Sequence, residues 1–175
     1  MTSLVWTVVE SPIDDLLLTT SDGFLRGIWF SPCAERPGPP LRDVADRLGA
    51  SRDDDDPLLR ETAAQLTAYF DGERHAFDLP LGPVGTPFQE QVWAALSTVP
   101  YGETWSYGEL AVAIGKSQSA SRAVGLANGR NPIPVVIPCH RVIGADGTLT
   151  GFGGGLPRKR YLLDLEQPAL FGVNL

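Results

Sequence analysis

Hydrophobic and polar positions alternate from Leu4 to Phe30, through Leu4, Trp6 and Val8 and again through Phe24, Ile28 and Phe30. A period of two, punctuated at Ser11-Pro12 and Ser21-Asp22-Gly23, predicts a three-stranded antiparallel meander. The pattern is lost over 31–56, where five prolines and glycines fall within 37–49 and aspartates run from Asp53 to Asp56. This stretch is expected to be a surface loop with little packed structure, its aspartates solvated. Helical spacing returns at Leu58, Leu59, Thr62, Leu66 and Tyr69, predicting a helix over 57–70 that Asp71-Gly72 closes. The Pro- and Gly-rich stretch 79–85 then reads as the link between two regions, 1–85 and 86–175.

The second region opens on Thr86-Pro87-Phe88-Gln89, which joins an N-cap residue, a proline at the first helical position and a glutamine three residues after the cap. Phe88, Val92, Ala95 and Leu96 continue it as a buried stripe. Ser106-Tyr107-Gly108-Glu109 repeats the capping pattern and starts a short helix through Leu110, Ala113 and Ile114 that stops at Gly115. A third helix is expected over 119–128, with Ala120, Ala123, Val124 and Ala127 facing inward. Two short helices around a tight turn at 115–117 fit a helix-turn-helix, whose second helix enters a DNA groove; the same pattern describes two packed helices of an α+β domain. Alanine and glycine dominate that second helix, and Arg122 is its only charge before Arg130, so it can approach a backbone or shallow groove closely.

Composition narrows the class. A chain of 175 residues, 43% of them hydrophobic, can bury a core as one domain or two small ones. No apolar run approaches the roughly 20 residues of a membrane span. The start of the chain, with Glu10, Asp14 and Asp15, lacks the basic-then-apolar layout of a signal peptide. The expectation is a soluble cytoplasmic protein with no membrane partner. A net charge of −7 argues against nucleic-acid binding by bulk charge. The acidity is one-sided, however: seven basic residues stand against fifteen acidic ones in 1–85, and seven against six in 86–175. The near-neutral region can dock on DNA with the acidic one facing away. Two cysteines, Cys33 and Cys139, give no disulfide framework, and with His75 and His140 they are too scattered for a zinc set, so no metal is expected.

The chemistry concentrates in 128–155. An apolar run ends at Pro138, which denies a strand its next hydrogen bond and sets Cys139 at a bend. Cys139 is then either a small buried hydrophobe or a nucleophile. Its neighbours Pro138, His140 and Arg141 form an electropositive setting of the kind that favours thiolate, whereas Cys33, in Ser-Pro-Cys-Ala beside the acidic loop, has no such support. His140 serves as a base only if another group orients it.

Pro138-Cys139-His140-Arg141-Val142, preceded by Asn131-Pro132 and Ser121-Arg122-Ala123-Val124-Gly125, resembles the active-site signature of the O6-alkylguanine-DNA alkyltransferases, the methylated-DNA–protein-cysteine methyltransferases. The resemblance runs from Thr86-Pro87-Phe88-Gln89 through Pro100-Tyr101-Gly102-Glu103-Thr104 and Ser106-Tyr107 to Gly151-Phe152-Gly153-Gly154-Gly155, and covers the first region only in layout and size. It implies an α+β fold: a ribonuclease H-like N-terminal domain over 1–85, and a winged-helix-like C-terminal domain over 86–175 that contains the helix-turn-helix.

It also implies direct-reversal repair, in which O6-alkylguanine, and O4-alkylthymine, is flipped out of duplex DNA and its alkyl group passes irreversibly, once per molecule, to Cys139. By the same resemblance His140 lies in a water-mediated network between Cys139 and Glu166, near the end of a last helix over 157–166, and Asn131 braces the turn that carries the cysteine. Tyr107 donates its proton toward the base, the Gly153 N–H aids the leaving oxygen, and the carbonyls of Cys139 and Val142 hold the exocyclic amine. Arg122 fills the gap left by the flipped nucleotide, while Ala123, Ala127, Asn128, Gly129 and Arg130 lie along the minor groove. The implied protein is a monomer with no cofactor and no obligate protein partner. Two rival readings use the same residues: a thiol hydrolase that turns over an acyl substrate, and a helix-turn-helix lesion sensor without chemistry. Neither requires Tyr107, Arg122, Asn131 and Glu166 together with Cys139.

Overall fold

In the computed structural model, which describes residues 3–168, β1 (Val5–Val9), β2 (Leu16–Ser21) and β3 (Phe24–Phe30) form the expected antiparallel meander. Its register pairs Val5 with Thr20 and Leu16 with Phe30. The middle strand departs from simple alternation, since Leu16 through Thr20 are all buried. A strand covered on both faces needs a continuous apolar run, and this sheet has helices to cover it.

One of those helices lies where a loop was expected. Within 31–56 the chain forms α1 (Leu41–Arg47) and β4 (Ser51–Arg52), and β4 pairs in parallel with β1 to give the strand order β3-β2-β1-β4. Ala45 is fully buried against Trp6 and Leu17, ringed by Val8, Trp29, Leu41, Val44 and Ala50. The prolines that suggested a loop end at Pro40, the residue that precedes the first helical turn. The aspartates also have structural partners: Asp54 accepts from the Thr7 hydroxyl at 2.7 Å, and Asp56 caps α2 (Pro57–Phe70) by accepting from the Leu59 N–H at 2.9 Å. Leu16 and Leu18 point opposite to Leu17 along β2, and α2 packs on β2 with Leu59, Leu66 and Tyr69 buried.

A second compact unit begins at Gly85. Both capping boxes form, Thr86 with Gln89 on α3 (Pro87–Leu96) and Ser106 with Glu109 on α4 (Tyr107–Ala113). On α3 the buried residues are Val92, Trp93 and Leu96; Phe88 and Ala95 are only half-buried. The Trp93 indole N–H donates to the Ala127 carbonyl at 2.9 Å and so ties α3 to α5 (Ser121–Gly129). A turn of 3₁₀ helix, Gln118–Ala120, leads into α5, where Val124, Ala127 and Asn128 are buried, while Ala123 is exposed rather than inward. β5 (Trp105–Ser106) pairs in parallel with β6 (Val142–Ile143), which brings the start of α4 beside the cysteine segment, and α6 (Leu156–Glu166) closes the unit. Among the described residues no helix is long and apolar enough to cross a membrane.

Replacing Asp56 with alanine removes the α2 cap and is expected to cost about 1 kcal/mol in urea unfolding, whereas Asp55→Ala, at an exposed neighbour, leaves the midpoint unchanged. Equal effects of the two substitutions would overturn the structural role given to Asp56.

Candidate active site

Cys139 is held by a short chain of turns and not by the end of a strand. Ile133 and Ile137 close one turn through an Ile137 N–H to Ile133 carbonyl bond of 2.9 Å. Asn131 clamps both ends of it, accepting from the Ile133 N–H at 3.0 Å and donating to the Ile137 carbonyl at 2.7 Å. Inside this turn Val135 is fully buried at φ 73°, a region β-branched residues rarely enter, so the clamp stabilises a strained backbone. Pro138, at φ −81° and ψ 63°, then makes an inverse γ-turn whose bond runs from the Cys139 N–H to the Ile137 carbonyl at 2.8 Å. Cys139–Arg141 follows as one 3₁₀ turn and runs directly into β6.

The turn aims His140 and Arg141 at the same carboxylate. His140 Nε2 lies 2.7 Å from Glu166 Oε1, while Arg141 grips both Glu166 oxygens, Nε to Oε2 at 2.8 Å and Nη2 to Oε1 at 2.9 Å. The remaining Arg141 nitrogen, Nη1, donates to the Val99 carbonyl at 2.7 Å, and the guanidinium lies over the Tyr101 ring. All three side chains are buried. Burial alone would raise the Glu166 carboxyl, but His140 and the Arg141 fork hold it down at about 2. Burial lowers His140 below its usual range against the pull of Glu166, so the ring is neutral at pH 7. An ionised carboxylate beside Nε2 selects the tautomer with its proton there and leaves Nδ1 as an acceptor. Nδ1 is buried and has no hydrogen-bond partner among the described residues.

The thiol differs from the sequence expectation. Burial pushes Cys139 up to about 11, against opposing help from an Asn131 hydrogen bond, the Lys159 charge and nearby main-chain N–H groups. The resting group is therefore a neutral thiol and not a thiolate. Arg141, which suggested the electropositive setting, spends its charge on Glu166. Lys159 is the cation that faces the cysteine, and a basic residue on a helix gave no sign of that role in the sequence. It is fully buried, donates to the carbonyls of Val142 at 2.6 Å and Thr150 at 2.8 Å, and is lowered by burial to about 8. Lys159 and Glu166 lie seven residues apart on the buried face of α6, so one helix delivers both.

Tyr107, the first residue of α4, is half-buried at the rim. Its ring lies against Gly125, where an added Cβ would come within 3.4 Å of the ring. Its hydroxyl donates to the Thr150 carbonyl at 3.3 Å and accepts from the Thr150 hydroxyl at 3.1 Å. The Val142 carbonyl accepts from Lys159 Nζ, and the Cys139 carbonyl accepts both the Val142 N–H that closes the 3₁₀ turn and, at 3.4 Å, Asn128 Nδ2. Gly153 is exposed near the start of α6.

The exposed face of α5 consists of Arg122, Ala123, Leu126, Gly129 and Arg130. Ala127 and Asn128, expected on the DNA surface, are instead buried beneath it, Asn128 behind the cysteine turn. Leu126, 64% exposed, takes a central place on this face that the sequence reading did not assign. Among the described residues no group of three or more His, Cys, Asp or Glu side chains is arranged to hold a metal ion.

A helix-turn-helix in one unit with a buried thiol next to an oriented His–Glu pair is the arrangement that the resemblance to the DNA alkyltransferases implies. Family models agree: residues 4–83 match the ribonuclease-like domain, and residues 87–168 the DNA binding domain, of 6-O-methylguanine DNA methyltransferase. The chain is 48% identical to the methylated-DNA–protein-cysteine methyltransferase of Methanosarcina barkeri over 164 residues, 94% of this chain and 98% of that protein. The Mycobacterium tuberculosis protein of the same name is 63% identical over 103 residues, 59% of this chain and 62% of its own. A crystal structure of Mycobacterium tuberculosis O6-methylguanine methyltransferase superposes with a TM-score of 0.82 at 45% identity, covering 94% of this chain and 93% of that one. The Mycobacterium tuberculosis protein in complex with DNA matches with a TM-score of 0.80 at 45% identity, covering 93% and 92%. This chain belongs to the methylated-DNA–protein-cysteine methyltransferase family.

Glu166→Gln leaves the buried Arg141 fork without its counter-charge and is expected to destabilise the second unit by about 3–5 kcal/mol at pH 7. A carboxyl depressed from 4.5 to about 2 contributes stability that is present above pH 4.5 and lost as pH falls toward 2. The stability gap between the native protein and the variant, followed by urea unfolding across that range, should therefore narrow with acid. A constant gap would contradict the ionised Glu166.

Proposed function

We propose that this chain reverses alkylation damage in DNA directly, taking the alkyl group of O6-alkylguanine onto Cys139 once and irreversibly. The observation that carries this reading is the Cys139 turn set beside a His140 whose acceptor nitrogen faces inward while Glu166 holds the other. In the reaction the sulfur–carbon bond forms as the bond between the alkyl carbon and the guanine oxygen breaks, and the electron pair stays on that oxygen. The thiol proton passes through one bridging water to His140 Nδ1, which lets a thiol near 11 react without a standing thiolate. Glu166 stabilises the imidazolium formed, and Lys159 faces the sulfur as its charge develops. Tyr107 gives its proton to the base, so the guanine gains one proton as the thiol loses one. The Gly153 N–H supports the oxygen, and the carbonyls of Cys139 and Val142 read the exocyclic amine.

Duplex DNA is the partner, bound through the exposed α5 face of Arg122, Ala123, Gly129 and Arg130, with Arg122 filling the space of the flipped nucleotide. Asn128 supports the cysteine turn from behind that face. The same pocket admits O4-alkylthymine, and the protein acts as a monomer without a cofactor.

Intact-mass and peptide mass spectrometry after mixing with a duplex containing one O6-methylguanine should find one methylene mass added per molecule, on Cys139, and none on Cys139→Ser. Repeated turnover, or no adduct on folded protein, would move the hydrolase or lesion-sensor reading forward. Arg122→Ala should slow transfer from the duplex by tenfold or more but transfer from a single-stranded oligonucleotide far less, because only the duplex has a gap to fill. Equal slowing on both substrates would remove Arg122 from the flipping step.

A further inference from the structure

The partner of Tyr107 carries a consequence for the proton transfer. Thr150 engages the phenol twice: its carbonyl accepts the Tyr107 proton at 3.3 Å, and its own hydroxyl donates to the phenol oxygen at 3.1 Å. The carbonyl also accepts from Lys159 Nζ at 2.8 Å. Of its two donors the ammonium is close and charged and the phenol distant and neutral, so the phenol proton can leave without stranding the carbonyl. Lys159 stays in place through its 2.6 Å bond to Val142, within the cysteine segment itself.

We propose that Thr150 is a positioning residue for the Tyr107 proton donor: its hydroxyl anchors the phenol oxygen while the phenol proton turns from the Thr150 carbonyl to the flipped base. This rests on the alkyl-transfer reading and on Tyr107 as its proton donor. The Tyr107 ring borders Gly125, and rotation about its carbon–oxygen bond alone redirects the proton while leaving the hydrogen bond from Thr150 intact. A phenol that accepts a hydrogen bond is a stronger donor, and the charge that gathers on its oxygen as the proton departs meets the Thr150 O–H directly. Thr150 keeps its own proton throughout. The proton given to the base comes from Tyr107, which later regains one from solvent. Thr150 is exposed and Tyr107 half-buried, so the pair stands at the rim where an incoming base would meet it.

The test is single-turnover transfer from a duplex containing one O6-methylguanine, with the rate constant at saturation separated from the dissociation constant, the latter measured for each variant in a Cys139→Ser background. Thr150→Val keeps the shape of the side chain and loses its hydroxyl; it should lower the saturating rate about tenfold and leave the dissociation constant unchanged. Thr150→Ser should react at close to the native rate. In a Tyr107→Phe background Thr150→Val should have no further effect, because the hydroxyl then has nothing to hold. A native rate for Thr150→Val while Tyr107→Phe is slow would overturn the role of Thr150 alone, as would losses that multiply in the double variant. A native rate for Tyr107→Phe would instead remove the proton donor and Thr150's role with it. No adduct on the unmodified protein would point past both to the alkyl-transfer reading itself.

Discussion

Taking the Glu166 carboxylate out of water is unfavourable by several kcal/mol, and charge-assisted hydrogen bonds from Arg141 and His140 offset it. Because those partners sit on the 3₁₀ turn that begins at Cys139, the carboxylate can be buried only when the turn is formed and α6 is docked on it. The Arg141 bond to the Val99 carbonyl extends the constraint to the segment after α3. One buried charge thus ties the cysteine turn, α6 and the segment after α3 together.

Arg141 also divides labour with His140. A permanent cation on the far side of Glu166 favours the ionised carboxylate, so in the proposed reaction its demand on Nε2 persists through the proton transfer. The ring can then cycle between neutral and protonated forms with its orientation preserved. Lys159 plays a parallel part on the other side of the sulfur, joining the Val142 and Thr150 carbonyls while its charge faces Cys139.

The local signals in the sequence were sound wherever structure is decided within a few residues: the capping boxes at Thr86 and Ser106, the glycine stop at Gly115 and the turns of the meander all describe short-range hydrogen bonds. What the sequence leaves hidden depends on contacts between distant positions. The segment 31–56 looked like a loop because its helix buries one alanine and its strand has two residues, both supported by β1 and β2 far away in the chain. The phase of α5 is set by distant partners as well: Trp93 bonds the Ala127 carbonyl and Asn128 bonds the Cys139 carbonyl, so Asn128 and not Ala123 lies on the inner face. The protonation of Cys139 was misjudged for a related reason, since adjacency placed Arg141 beside the thiol and the fold turned its charge to a glutamate 25 residues on.

Burial of the cysteine bears on how such a protein survives before it acts. Burial holds the Cys139 thiol in its neutral form at pH 7. Peroxides and small electrophiles attack the thiolate, and they would have to reach a residue that is 5% exposed. In the proposed reaction, a nucleophile that can be consumed only once is thereby shielded from the oxidants and alkylating agents that damage DNA in the first place, and is reserved for an alkyl group carried into the pocket by a base.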